Sequence, residues 1–189
     1  MVKLDNVTFA YKNSKTPIVK ELSLHIKSGE KLWLTGASGC GKTTVLRLIM
    51  GLERPKKGSV TLKEGAKISA VFQEDRLIPG ISVLENVALF SESEERAISV
   101  LSELGLGEEP HLAVSELSGG MKRRVAVARA LARNSDILIL DEAMTGLDDE
   151  NKKNTAGVIN KYTAGRTVIA VTHDSREAEL LGVKALAIF

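Results

Sequence analysis

The chain has 189 residues, a single cysteine and a formal charge of +2. One cysteine excludes an internal disulfide and fits a reducing compartment, and so slight a basic excess excludes the charge-driven grip on nucleic acid that a strong bias would signal. No apolar run approaches the ~20 residues of a membrane span, and Met1-Val2-Lys3-Leu4-Asp5 lacks the apolar stretch of a secretory leader, so any membrane contact is expected through a partner.

In chain order, Val2, Leu4, Val7 and Phe9 set against Lys3 and Asp5 predict a half-buried strand. Leu22-Ser23-Leu24-His25-Ile26 predicts a second, the two forming an antiparallel edge. Short apolar runs at 32–34, 68–72, 137–140, 168–171 and 186–189 read as buried strands alternating with helical patterns, the first helix covering 44–50. That alternation predicts an α/β fold with a mostly parallel sheet. From about Ser82 to Arg133 helical spacing takes over. Ala97, Leu101 and Leu104 recur at i, i+4, i+7, Glu92 and Arg96 stand i, i+4, and Gly105 with Gly107 stops the helix. Met121, Val125, Ala128 and Ala132 form a second stripe, while Lys122-Arg123-Arg124 reads as a solvated helix face and Lys56-Lys57 as a turn. The expectation is one domain, with a helical subdomain (82–133) inserted into an α/β core made of 1–81 and 134–189.

Gly36-Ala37-Ser38-Gly39-Cys40-Gly41-Lys42-Thr43 follows a predicted strand and opens a predicted helix, which is the spacing of a phosphate-binding P-loop. Gly36, Gly39 and Gly41, with Ser38 among them, let backbone N–H groups converge on phosphates without Cβ clashes. The helix start adds its positive end. Lys42 supplies a flexible charge, the Thr43 hydroxyl suits Mg²⁺, and Thr44 falls near the α-phosphate. Cys40 is expected to pack, and to be open to alkylation unless ATP protects it. Further on, the apolar run 137–140 ends in Asp141-Glu142. A buried carboxylate there requires a cation. Magnesium bridged to phosphate meets that need with Asp141 as ligand, which leaves Glu142 to activate water.

Leu117-Ser118-Gly119-Gly120-Met121 stands before a helix, where the Ser118 hydroxyl and the Gly119 and Gly120 amides make another anion-binding helix start. It resembles the signature motif of ABC ATPases, and the resemblance runs over nearly the whole chain. It implies a P-loop NTPase fold that hydrolyses ATP with Mg²⁺, and two copies packed head to tail, each signature closing on the other copy's γ-phosphate. It further implies that Tyr11 stacks on adenine, that Gln73 senses magnesium and the membrane partner, and that Asp148 in Thr145-Gly146-Leu147-Asp148 links the two sites. His173 in Val171-Thr172-His173-Asp174 resembles the switch histidine that contacts γ-phosphate.

Residues 73–79, followed by 83–87, resemble the nitrate, sulfonate and taurine type of importer subunit. Expected partners are therefore transmembrane permease subunits, a second copy of the chain and a solute-binding protein, with no nucleic acid. The expected place is the cytoplasm, peripheral on the inner face of the cell membrane, and the cargo a small anionic or vitamin-like solute. An export motor and a soluble role such as iron–sulfur assembly stay open at this point. Three positions depart from the family pattern: Met121 and Arg123 stand where glutamine is usual, and Ala143 where proline is usual. The chain is short for the family and reads as a minimal motor without a regulatory extension.

Overall fold

The computed structural model describes residues 1–12, 14 and 16–188. Strand β1 (Val2–Phe9) lies between β2 (Val19–Ile26) and β4 (Lys57–Leu62) in an antiparallel sheet. The predicted alternation holds, since Val2, Leu4, Val7 and Phe9 are all buried. Their phase slips between Leu4 and Val7 because Asn6 adopts a positive φ of 47° at a register shift. Strand β4 is an addition to the expected pair, and Lys57 belongs to it instead of to a turn. Its Gly58 is obligatory: φ is 78°, and a Cβ there would stand 2.2 Å from the Asp5 carbonyl oxygen.

The second sheet is wholly parallel and has the order β5 (Ile68–Val71), β6 (Ile137–Asp141), β7 (Thr167–Val171), β3 (Lys31–Thr35), β8 (Lys184–Ala187). Strands β6 and β7 are buried at every residue, as unbroken apolar runs require. Their two faces feed two cores. Ile137, Ile139, Ile169 and Val171 join the antiparallel sheet and helix α1 (Lys42–Ile49). Leu138, Leu140, Val168 and Ala170 join α2 (Val83–Ala88), α3 (Glu94–Glu103), α4 (Gly119–Ala132) and α5 (Asp149–Tyr162). Each such side chain contributes ~1.5–3 kcal/mol of burial, so the pair of strands ends rigidly. Strand β8 corrects the reading of a buried run. As an edge strand it leaves Lys184, Ala185 and Ala187 exposed, and Phe189 lies outside the described residues.

Between β5 and β6 in chain order come α2, α3, a 3₁₀ turn at Val114–Glu116 and α4, with no named strand among them. Ser82 and Glu85 cap α2 reciprocally, Ser82 N–H to Glu85 Oε2 at 2.8 Å and Glu85 N–H to Ser82 Oγ at 3.2 Å. Ala97, Leu101 and Leu104 are buried as spaced, and Gly105 follows the helix at φ 69°. The expected Glu92–Arg96 pair gives way to another contact. Helix α3 starts only at Glu94, and Arg96 reaches across to donate to the Ala132 (2.7 Å) and Leu131 (3.3 Å) carbonyls. Those carbonyls end α4 without helical partners, so the guanidinium has better acceptors there.

Two glycines predict shifts of opposite sign in a thermal-unfolding scan. Gly58→Ala should cost about 2 kcal/mol or more, lowering the midpoint by roughly 4–8 °C. Gly157, exposed within α5 with open space around a Cβ, should gain ~0.5–1 kcal/mol on replacement by alanine.

Candidate active site

The loop after β3 reaches α1 through Gly41, whose φ of 110° no side-chain-bearing residue adopts readily. Lys42, only 7% exposed, folds back to donate to the Gly36 (2.8 Å) and Ala37 (2.9 Å) carbonyls. Phosphate oxygens would compete for the same ammonium protons. The Cys40 sulfur lies 4.0 Å from that ammonium and is partly buried. Thr43 donates its hydroxyl to Asp141 Oδ1 at 3.2 Å, which joins the loop to the end of β6.

Asp141 is 4% exposed. Burial pushes its carboxyl above the ordinary aspartate range; the Thr43 hydroxyl bond opposes this, the Glu142 charge adds to it, and Arg123 and His173 oppose it. Glu142 follows at a φ of 55°, a left-handed conformation uncommon outside glycine. It is held by its N–H to the Val171 carbonyl (2.9 Å) and by the Thr145 hydroxyl on Oε2 (3.2 Å). Its Oε1 is buried without a hydrogen-bond partner and faces His173 Nε2 at 3.3 Å, close enough to pair once the imidazole is protonated.

The loop bearing His173 is braced from three sides. Trp33 donates its indole N–H to the Thr172 carbonyl at 3.1 Å. Thr172 donates to the buried Glu177 at 2.6 Å and accepts from the Asp174 N–H at 3.1 Å. Lys152 of α5 pairs with Glu177 (2.7 Å) and Asp174 (3.2 Å). Arg176 beside Asp174 holds that carboxyl at about 2, and Asp174 caps helix α6 (Ser175–Leu181).

These elements enclose a cleft of about 590 Å³ lined by Ser38, Gly39, Gly41, Lys42, Thr43, Thr44, Gln73, Asp141, Glu142 and His173, every one anticipated from sequence. Tyr11 stands at its edge, its hydroxyl 3.2 Å from Thr44 Oγ1 and its ring edge-on to Phe9. Gly36 meets the cleft only through its carbonyl on Lys42, and Ser118, Gly119, Gly120 and Asp148 do not line it. Ser118 caps α4 through the Met121 N–H (3.2 Å) and Asp148 caps α5 through the Asn151 N–H (2.8 Å); Ser118, Gly119 and Asp148 are exposed, while Gly120 is half-buried near Leu147, the neighbour of Asp148.

Arg123, Thr145, Ile18 and Val171 also line the cleft and were not expected there. Arg123 overturns the reading of residues 122–124 as a solvated face. It is 8% exposed and donates to the Phe72 carbonyl (2.7 Å) and the Gln73 carbonyl, while Arg124 donates to the Leu104 carbonyl (2.7 Å). Loop carbonyls without strand partners draw both guanidiniums inward. A charge run does not reveal that from sequence. Ala143 is buried, and the turn it follows is tied by the bonds on Glu142.

Fold and cleft together define a P-loop ATPase. The family model described as "ABC transporter" matches residues 19–145. The aliphatic sulfonates import ATP-binding protein SsuB 1 of Rhodococcus jostii is 38% identical over 98% of this chain and 79% of its own length. The taurine import ATP-binding protein TauB of Ruegeria pomeroyi is 32% identical over 98% and 76%. The spermidine/putrescine import ATP-binding protein PotA of Legionella pneumophila is 36% identical over 94% and 54%. Among solved structures, the dimeric post-hydrolysis ATP-binding cassette MJ0796 with ADP and Pi superposes with a TM-score of 0.87 at 32% identity, covering 100% of this chain and 94% of that one. A bacterial Atm1-family ABC exporter with ATP bound gives 0.88 at 25% identity, covering 100% and 36%. The chain belongs to the ABC transporter family, as one of its ATP-hydrolysing cassettes.

Because burial raises the Asp141 carboxyl, its charge destabilises the metal-free fold. The folded form holds the proton more tightly than the unfolded chain, so this contribution falls as pH rises from the ordinary aspartate value through the folded one. At neutral pH without magnesium, Asp141→Asn should therefore raise the melting midpoint by about 2–4 °C for each ~1 kcal/mol relieved. The same substitution should abolish magnesium-dependent ATP hydrolysis.

Proposed function

We propose that this chain is the motor subunit of a membrane importer, binding MgATP in the described cleft and working as a head-to-tail pair of copies. The observation that carries the site reading is the Glu142 carboxylate, fixed one residue beyond the Thr43–Asp141 contact and 3.3 Å from His173.

The residues fit magnesium. One hydroxyl and one buried carboxylate converge at 3.2 Å, and no group of three or more His, Cys, Asp or Glu that could hold a metal occurs among the described residues. A cation that borrows phosphate oxygens and keeps its waters suits so small a donor set. Thr43 and Asp141 would hold it with Gln73 nearby, and bound there it would draw charge from the β- and γ-phosphate oxygens. Lys42 exchanges its two loop carbonyls for phosphate oxygens, and the N–H groups from Gly36 through Thr44 cradle the rest. The Tyr11 ring lies against the base. Glu142 orients a water and takes its proton, and His173 steadies that carboxylate and meets the γ-phosphate.

Ser118, Gly119 and Gly120 of a second copy complete the anion site. Asp148 begins α5, and Lys152 one turn later braces the His173 loop, which gives the link between sites a physical route. Residues 82–133 act as one lobe on the α/β core.

No helix among the described residues is long and apolar enough to cross a membrane, so transport requires permease subunits. In this reading the chain docks on them at the cytoplasmic face, with a solute-binding protein delivering cargo. All three relatives are named for import, and two for sulfonated solutes, which supports import of a small organic sulfonate.

Glu142→Gln should lower kcat by about 10²–10³-fold while ATP still binds. Lys42→Ala should remove most of the ~5–10 °C rise in melting midpoint that excess ATP gives the native chain. A tagged chain should retrieve a multi-span membrane protein from detergent-solubilised native membranes. Retrieval of soluble partners alone would overturn the transport role and leave the ATPase standing.

A further inference from the structure

After β5, residues 72–80 form neither helix nor strand, yet Gln73 must hold a defined place in the cleft. The donors that hold this segment come from α4. Arg123 donates to the Phe72 and Gln73 carbonyls and stands 3.2 Å from Asp75 Oδ1. Arg129, less than two turns along, donates to the Arg76 (2.7 Å) and Asp75 (2.8 Å) carbonyls. Four carbonyls in five residues are thus gripped by two forks on one helix. Asn86 of α2, fully buried, adds a second hold by accepting from the Ile78 N–H at 2.8 Å and donating to the Ile78 carbonyl at 3.0 Å.

We propose that Arg123, with Arg129 behind it, is a positioning residue that makes Gln73 move as one body with the signature helix, so that the placement of Gln73 in the cleft it shares with Asp141 depends on the orientation of α4. The inference rests on the reading of the cleft as the MgATP site. Its physical basis is the guanidinium fork. Two parallel N–H groups fix the direction of the Phe72–Gln73 backbone as well as its distance, which a single point charge does not. Helix α4 runs unbroken from Ser118, its N-cap, to Ala132. A rotation that carries Ser118 toward a second copy therefore carries the Phe72 and Gln73 carbonyls with it. Arg123 also lines the cleft itself, so the joint lies next to the chemistry.

The test uses the full chain and three readouts: kcat, the magnesium concentration giving half-maximal hydrolysis, and ATP affinity in EDTA. Arg123→Met should lower kcat about 10-fold and raise the half-saturating magnesium about 5-fold, while ATP affinity in EDTA stays within about twofold. Arg123→Lys keeps the charge but loses the fork, and should recover less than about a third of the lost rate. Full recovery by Arg123→Lys would overturn the proposal in favour of charge alone. So would a loss of ATP affinity in EDTA as large as the loss with magnesium. If Arg123→Met does not fold, Asp75→Asn loosens the same joint from its outer side and should raise the half-saturating magnesium about 2–3-fold; an unchanged value would count against the clamp. Failure of the native chain to bind or hydrolyse MgATP would instead sink the reading of the cleft.

Discussion

The structure turns on a buried negative charge. Asp141 closes a strand whose other four residues are all apolar and buried, and Glu142 follows at once. A carboxylate in that position is costly unless cations and donors surround it. The neighbouring groups answer that need: Thr43 donates to it, the charges of Arg123 and His173 favour its ionised form, and Lys42 lines the same cleft. Two cores pressing on opposite faces of β6 and β7 keep the strand ends from yielding. The protein concentrates charge at the end of a strand packed on both faces, so a cation and phosphate bound there would meet groups that are already oriented.

Two helices join that point to the surface. Helix α4 begins at the exposed Ser118 and grips the Gln73 segment through arginine forks. Helix α5 begins at the exposed Asp148 and grips the His173 loop through Lys152. The two starts lie near each other, Gly120 standing close to Leu147, and both grips end at the cleft. A partner engaging that surface would act on the Gln73 segment and the His173 loop together, each through a short rigid lever and charge-assisted bonds.

Much of this was legible in the sequence because the chemistry is local. The phosphate loop, the acid pair after an apolar run and the histidine after another are contiguous motifs, and Ser38, Gly39, Gly41, Lys42, Thr43, Asp141, Glu142 and His173 from them line the cleft. The core strands were legible because fully buried strands have no polar face to confuse the pattern. What escaped was set by distant partners. Strand β4 has little apolar content and is defined by pairing with β1. Strand β8 is apolar yet exposed because it is an edge. Arg96 and Arg123 looked like surface charges, and the carbonyls that bury them lie more than thirty residues away in the chain.

The central claim is that each active site is shared by two copies, with Lys42 from one and Ser118 from the other. Mixing Lys42→Ala chains with Ser118→Arg chains tests it most directly, since each alone should be inactive. Head-to-tail sharing places one intact site in every mixed dimer, so an equal mixture should recover about one quarter of the native ATPase rate if the two sites act independently. A mixture as inactive as either variant alone, with mixed dimers shown to form, would contradict the account.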